Sequence, residues 1–403
     1  MKKAGLILTT ILMCGCGGAK APPSKVSSAQ PKPAAPKVQP VKVVTKDMSS
    51  RIPVQSSSDR IKSAQKNIQS NPQSYSSYVE LGDIYDQMDK KTQAADSYEN
   101  ALLVKPNQLD TKLKLAALYG DTGKFGESLK MYKSLLAVHG QPWQIKNDMA
   151  NVYRKKKEFN TAIKLVQEIL IQQKNNIDAI NTLGLIYYDQ QKYELAQLTL
   201  QKAIKIKVDN AQTHHNFGLA LRKTDMETEA VTQFKKAAEM DASLEAPRMT
   251  LAQMYIESGN YNEAIRLYYE VLKANAVQIK ARQNLGVTLM SSKSIEEAES
   301  IFLSILQIDP FDTTSAFHLG LLYHYYMQDG EKAVQYYQRF IGQMKEKIPP
   351  NHPVFANLDQ AKKLPPKNPP VVPAAPGEQP KKKVEPVKKI DSKKQVPAPK
   401  GKK

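Results

Sequence analysis

Beyond residue 16 the chain contains no cysteine; its two are Cys14 and Cys16. A disulfide framework, a thiolate zinc site and a cysteine nucleophile are therefore excluded from the body of the protein. Histidine is scarce, with six in 403 residues, and none forms a His-Glu-x-x-His motif or an i, i+4 pair that would set two ligands on one helix face. His214 and His215 are adjacent, so on a helix they point about 100° apart and read as ordinary packing and surface residues. No Gly-x-x-x-x-Gly-Lys-[Ser/Thr] loop and no Gly-x-Ser-x-Gly elbow occurs. The expectation is a chain with no enzymatic activity, no metal and no cofactor. A membrane-spanning run is also missing: the apolar stretch at residues 4–13 is ten long, where a helical span takes roughly 20.

Proline and charge are plentiful but unevenly placed. Of 25 prolines, seven lie within residues 1–57 and ten within 364–403. Proline is excluded from helix interiors, so this split separates a helical middle from two extended polar segments. Residues 1–57 carry nine Lys/Arg against Asp47, and residues 364–403 carry eleven lysines against three acids. Nearly all of the net charge of +19 thus sits in the ends, leaving about +3 for the middle. The folded part is not a basic surface for nucleic acid.

The first residues read as an address. Lys2 and Lys3 form a positive n-region before the short apolar stretch, the pattern of a secretory signal (1–15). Leu12-Met13-Cys14-Gly15-Cys16 resembles the bacterial lipobox, with Gly15 the small residue before an acylated Cys16. Met13 and Cys14 depart from the usual pattern. The resemblance implies lipidation at Cys16, and Gly17 in place of an aspartate implies sorting to the outer membrane, on its periplasmic face. Several acyl chains at about 0.8 kcal/mol per buried CH₂ hold such an anchor stably. Residues 16–57 then read as a disordered tether, 58–74 as a capping segment with a helix over 59–70, and 365–403 as a disordered Pro/Lys tail.

Between them runs a period of 34 residues, unbroken over 75–312. Repeats begin at residues 75, 109, 143, 177, 211, 245, 279 and 313. Position 7 is apolar throughout (Leu81, Leu115, Met149, Leu183, Phe217, Leu251, Leu285, Leu319). Position 8 is always Gly or Ala: Gly82, Ala116, Ala150, Gly184, Gly218, Ala252, Gly286 and Gly320. Position 11 is Tyr or Leu, position 20 is Ala or Ser, and position 24 is large in most repeats (Tyr98, Tyr132, Val166, Leu200, Phe234, Tyr268, Phe302). The eighth repeat reaches its small and large residues, Ala333 and Tyr337, after one extra residue. Small side chains at 8 and 20 let two helices approach closely, and the large residue at 24 is expected to fill the space against the next hairpin. One hairpin cannot bury its apolar face alone, so neighbours must stack.

This pattern resembles the tetratricopeptide repeat family over residues 75–347. The resemblance implies an all-α, right-handed superhelix of eight helical hairpins, closed by a C-terminal cap at 348–364. Position 4 departs from it: the family's large aromatic is replaced by Lys112, Lys146, Ile180 and His214. In the family the first helix of each hairpin lines a concave groove that binds peptides. Carried onto this sequence, the groove residues are Asn147, Asn151, Arg154, Asn181, Tyr188, His215, Arg222, Met249, Gln253, Gln283, Phe317 and Tyr325. Asparagine at position 5 of two successive repeats (Asn147, Asn181) suggests an amide ladder for a peptide backbone, since an amide carries donor and acceptor. The expected function is a scaffold for other envelope proteins, of the kind serving pilus assembly, gliding motility or cell-wall hydrolases. A secretion chaperone for one client is the alternative. The lysine-rich tail is expected either to be inert or to touch peptidoglycan or another anionic surface weakly.

Overall fold

The computed structural model describes residues 55–139, 142–344 and 347–365, and among these every regular element is helical. A first helix, α1 (Gln55–Ser70), precedes eight hairpins. These pair α2 (Tyr75–Gln87) with α3 (Lys91–Val104), α4 (Leu109–Asp121) with α5 (Phe125–His139), and α6 (Trp143–Lys155) with α7 (Phe159–Gln172). Next come α8 (Ile177–Asp189) with α9 (Tyr193–Ile206), α10 (Ala211–Arg222) with α11 (Glu227–Met240), and α12 (Glu245–Glu257) with α13 (Tyr261–Ala274). The series ends with α14 (Ile279–Ser291) and α15 (Ile295–Ile308), α16 (Thr313–Leu321) and α17 (Gly330–Met344), and the closing helix α18 (Pro353–Ala361). The expected first helix begins four residues earlier than its cap-type residues suggested, so those serines lie inside α1, where their helix propensity is only modestly poor. No described helix is long and apolar enough to cross a membrane.

Caps mark several boundaries. The side chains of Asn176, Asn210 and Asp312, each the last residue of a repeat, accept the main-chain N–H of Ala179, Thr213 and Ser315 at 2.7–2.9 Å. The turn inside each hairpin is a left-handed cap at position 15. Gly123 and Gly259 hold φ of 82° and 77° there. Asp89, Lys157, Gln191, Asp225 and Lys293 occupy the same position with φ between 59° and 68°, although they carry side chains. In most repeats the residue after the cap donates back to the position-11 carbonyl, as in Lys90 to Tyr85 (2.8 Å) and Lys192 to Tyr187 (2.9 Å). This six-to-one bond satisfies an orphan carbonyl at the helix end.

The one extra residue of the eighth repeat is absorbed inside its first helix. Residues Leu322–Tyr326 form a π-helical turn, the left-handed residue moves to Gln328, and Asp329 donates to Tyr323 across one residue more than elsewhere. A π-turn accommodates one inserted residue without displacing the helix beyond it. Ala333 and Tyr337 therefore recover their core places, both at 0% exposure.

Packing corrects one expectation. The large residue at position 24 presses on the glycine of its own repeat. A Cβ built on Gly82 would lie 2.5 Å from Tyr98, on Gly184 2.6 Å from Leu200, on Gly218 2.7 Å from Phe234, on Gly286 2.6 Å from Phe302, and on Gly320 2.5 Å from Tyr337. No side-chain carbon fits there, so the absence of a side chain sets the spacing of these five helix pairs.

Position 4 also acquires a role. Arg282, 1% exposed, donates to the Ala276 carbonyl (2.6 and 3.1 Å) and to Ser304 Oγ (3.1 Å). Arg248 donates to the carbonyls of Ala238, Asp241, Ala242 and Leu244. His214 bridges the Val208 carbonyl (2.7 Å) and Gln233 (2.6 Å). Where the family places an aromatic, these polar side chains saturate carbonyls at the end of the preceding hairpin.

The solenoid finally returns upon itself. Asn275, between α13 and α14, donates to the Gln87 carbonyl at 3.0 Å, 188 residues away. Lys90 pairs with Asp309 at 2.6 Å, with both side chains mostly buried. Ile84 and Met88 of the first hairpin, at 1% and 2% exposure, join the apolar core built by repeats five to eight, and Ile61 of α1 packs against it.

Candidate peptide-binding groove

Consecutive first helices (α4 with α6, α6 with α8, α8 with α10, α14 with α16) approach one another directly, and more extensively than any consecutive second helices do. The row of first helices therefore lies on the inside of the curve and lines the groove.

Two recesses open along that row. One, of about 330 Å³, lies between α6, α8 and α10, and Asn147, Asn151, Asn181, Asp148 and Asp178 border it. The other, of about 210 Å³, lies between α12, α14 and α16; Gln253, Gln283 and Asn284 stand around Ile256, Val287 and Leu321. The first is polar and the second is an apolar floor with an amide rim.

The expected groove residues fall into three groups. The first borders the recesses. Asn147 and Asn181 are 8% and 6% exposed. Asn181 donates to Thr213 Oγ1 at 2.9 Å and so ties repeat four to repeat five, while the Oδ1 of each asparagine has no partner. Asn151 donates to Thr182 Oγ1 and to the Asn147 carbonyl, both at 3.3 Å. A ladder of free amides is thus not what the structure builds: the donor ends of Asn151 and Asn181 hold the repeats in register, Asn151 Oδ1 accepts from Arg154 Nε at 3.3 Å, and only the acceptor ends of Asn147 and Asn181 remain. Gln253 and Gln283 border the apolar recess, donating to Glu257 (3.2 Å) and Asp312 (2.9 Å).

The second group is consumed by pairing between repeats. Arg154 reaches Asp189 at 2.5 Å, and Arg222 reaches both oxygens of Glu257 at 2.8 and 2.9 Å. Lys155 pairs likewise with Asp121. These pairs form rungs along the groove and are partly open to solvent, so each contributes about 0–1 kcal/mol. They neutralise the cations that a carboxylate-binding groove would need.

The third group is packed away. His215 is 7% exposed, its ring 5.5 Å from Phe234, its Nδ1 is without a partner, and burial pushes its pKa down to about 4. Phe317, 7% exposed, meets Phe340 at 5.2 Å and His352 at 5.6 Å, so it seals the C-terminal end. Tyr325 donates to Asn357 of α18 at 2.9 Å and stacks on His324. Met249 is half-buried against the core, and Tyr188 lies edge-on to Tyr193 at 5.5 Å. Burial of Phe317 and Tyr325 was not legible from position alone, because the same register is more open in the middle repeats and meets the closing segment at the end.

Sequence reasoning missed Asp148. It lies beside Asp178 in the polar recess, and burial, with the Asp178 charge adding to it, raises its carboxyl to about 6. Cys16 and the Lys-rich tail lie outside the described residues. No group of three or more metal-ligating side chains occurs among the described residues.

Comparison with known proteins places these features in a family context. Models described as tetratricopeptide repeat match residues 75–108, 211–244 and 255–319, and one described as TPR repeat matches 184–225. The first two coincide with repeats one and five. Among solved structures the chain is similar to YrrB, described as a TPR protein with an unusual peptide-binding site (18% identity, 48% of this chain and 97% of that one, TM-score 0.40). It is also similar to TTC0263, a thermophilic TPR protein of Thermus thermophilus (18%, 45% and 98%, TM-score 0.40). A third likeness is to the APC/C hetero-tetramer Cut9–Hcn1 (12%, 76% and 58%, TM-score 0.45). No curated protein matches the chain.

Proposed function

We propose that this chain, which carries tetratricopeptide repeats, is a non-enzymatic scaffold that holds extended segments of partner proteins in its concave groove. The observation that carries the reading is the recess between α12, α14 and α16. Its apolar floor at Ile256 and Val287 suits one apolar side chain, and Gln253, Gln283 and Asn284 stand where a peptide backbone would need amide partners. Panning a random peptide library on the full chain tests it. Binders should lose at least tenfold affinity with Val287→Lys while the melting temperature holds. Failure to recover any binder, or unchanged affinity in the variant, would sink the reading.

The position of the scaffold follows from the sequence of its first residues. Lipid on Cys16 would tether it to the outer membrane on the periplasmic side, with residues 16–57 as spacer. Metabolic labelling with a radioactive fatty acid should mark the wild type and leave Cys16→Ser unmarked. Eight repeats between two long polar segments favour an organiser of envelope motility or pilus assembly over a carrier of one small client.

A further inference from the structure

The polar recess between α6, α8 and α10 differs from its apolar neighbour in the sign of its chemistry. Asp148 and Asp178 face it, and among the described residues neither forms an ion pair. Beside them lie Asn147 and Asn181, both more than nine-tenths buried, each with an Oδ1 that no donor meets. The nearby cations are committed elsewhere: Arg154 to Asp189, Lys155 to Asp121, Lys146 to Glu168. The unmet demands in the recess are therefore mostly for a hydrogen-bond donor or a positive charge, the exception being Asn216 Nδ2, a buried donor without a partner. Trp143, the single tryptophan of the chain, borders the same space, and tryptophan is the side chain whose ring face binds cations best.

We infer that this recess is a cation-recognition site that takes the ammonium or guanidinium group of a lysine or arginine in the partner segment. The inference rests on the reading of the groove as a peptide site and adds a charge requirement to it. A lysine side chain entering here would meet two carboxylates, two amide oxygens and an indole face, with no competing cation to displace. An acidic partner residue would meet two like charges and, apart from the Asn216 amide, acceptors. The two recesses then read a partner in two ways, an apolar side chain in the C-terminal half and a basic one in the middle.

Four peptide libraries, nine residues long with a fixed central Lys, Arg, Glu or Leu, are captured on the full-length chain and on Asp148→Asn/Asp178→Asn. Both substitutions keep shape and remove charge. Lys and Arg libraries should be enriched at least tenfold over Glu on the wild type. That preference should vanish on the double variant while capture of the Leu library persists. Selected lysine peptides should also shift the fluorescence of Trp143, the chain's only indole, and leave it unshifted in the double variant. Equal capture of Glu and Lys libraries overturns the inference and leaves the groove reading standing. No capture by any library overturns both. If lysine libraries bind only after residues 366–403 are deleted, the occupant is the chain's own tail, and the assignment to a partner is overturned.

Discussion

Substituting alanine for Gly286 isolates the steric rule on which the stacking depends. The added Cβ would lie 2.6, 2.7 and 2.9 Å from three ring carbons of Phe302, which is itself 0% exposed and has nowhere to retreat. Overpacking a closed core costs about 1–3 kcal/mol. Alanine recovers about 0.5–1 kcal/mol over glycine in a helix interior, so the net loss lies between about 0 and 2.5 kcal/mol. Gly342, within α17, is the control: a Cβ there meets nothing within 4 Å, so Gly342→Ala should gain about 0.5–1 kcal/mol. Repeat three pairs its alanine, Ala150, with the smaller Val166, while Ala116 and Ala252 share their repeats with Tyr132 and Tyr268. Gly286→Ala/Phe302→Leu should recover part of the loss. Stacked repeats need not unfold in one step, so hydrogen exchange of α14 and α15 is the suitable assay alongside denaturant melting. Stabilisation by both single alanines, to the same extent, would refute the argument that glycine is required for close approach.

Four further outcomes follow from particular contacts. Arg282→Met should cost about 1–3 kcal/mol in chemical denaturation by orphaning the Ala276 carbonyl, and Arg282→Lys should rescue little, since one ammonium cannot replace the guanidinium fork across Ala276 and Ser304. His215, depressed from 6.5 to about 4, favours the folded state only while neutral, so stability tied to it is complete above pH 6.5 and lost as pH falls towards 4. That loss is about 3 kcal/mol, and His215→Leu should flatten the acid limb of a pH–stability curve by that amount. Asp148 has the opposite sign: raised from 3.8 to about 6, it costs the fold about 3 kcal/mol at neutral pH and nothing below pH 3.8, so Asp148→Asn should stabilise at pH 7 and be neutral at pH 3.5. Met88→Asp should break the contact of the first hairpin with the last repeats and raise the radius of gyration in solution scattering, leaving the helical content unchanged.

The hairpins were legible in the sequence because their causes are local. A glycine at position 8 and a ring at position 24 are sixteen residues apart, and their fit depends only on the geometry of one helix pair. The extra residue of the eighth repeat could be counted from the sequence, but only the structure shows it taken up as a π-turn at Leu322–Tyr326. The left-handed cap at position 15 was visible at Gly123 and Gly259 and hidden at Lys157, Gln191 and Lys293, where the carbonyl of position 11 enforces a conformation those residues do not favour.

Position in the repeat picked out helices that line the inner face, but not which of their polar atoms are already paired. Whether Asn181 offers an amide or spends it on Thr213, and whether Arg222 faces a ligand or Glu257, depends on the next repeat's side chains at a distance set by the stacking angle. The meeting of Asn275 with Gln87, and of Lys90 with Asp309, arises from the accumulated rotation of six repeats. A small turn per repeat, summed over the array, decides where the two ends meet. Sequence alone determined that there are eight units and what holds each together; the tertiary structure decided how far they wind, which side chains that winding pairs off, and which acceptors in the groove it leaves unmet.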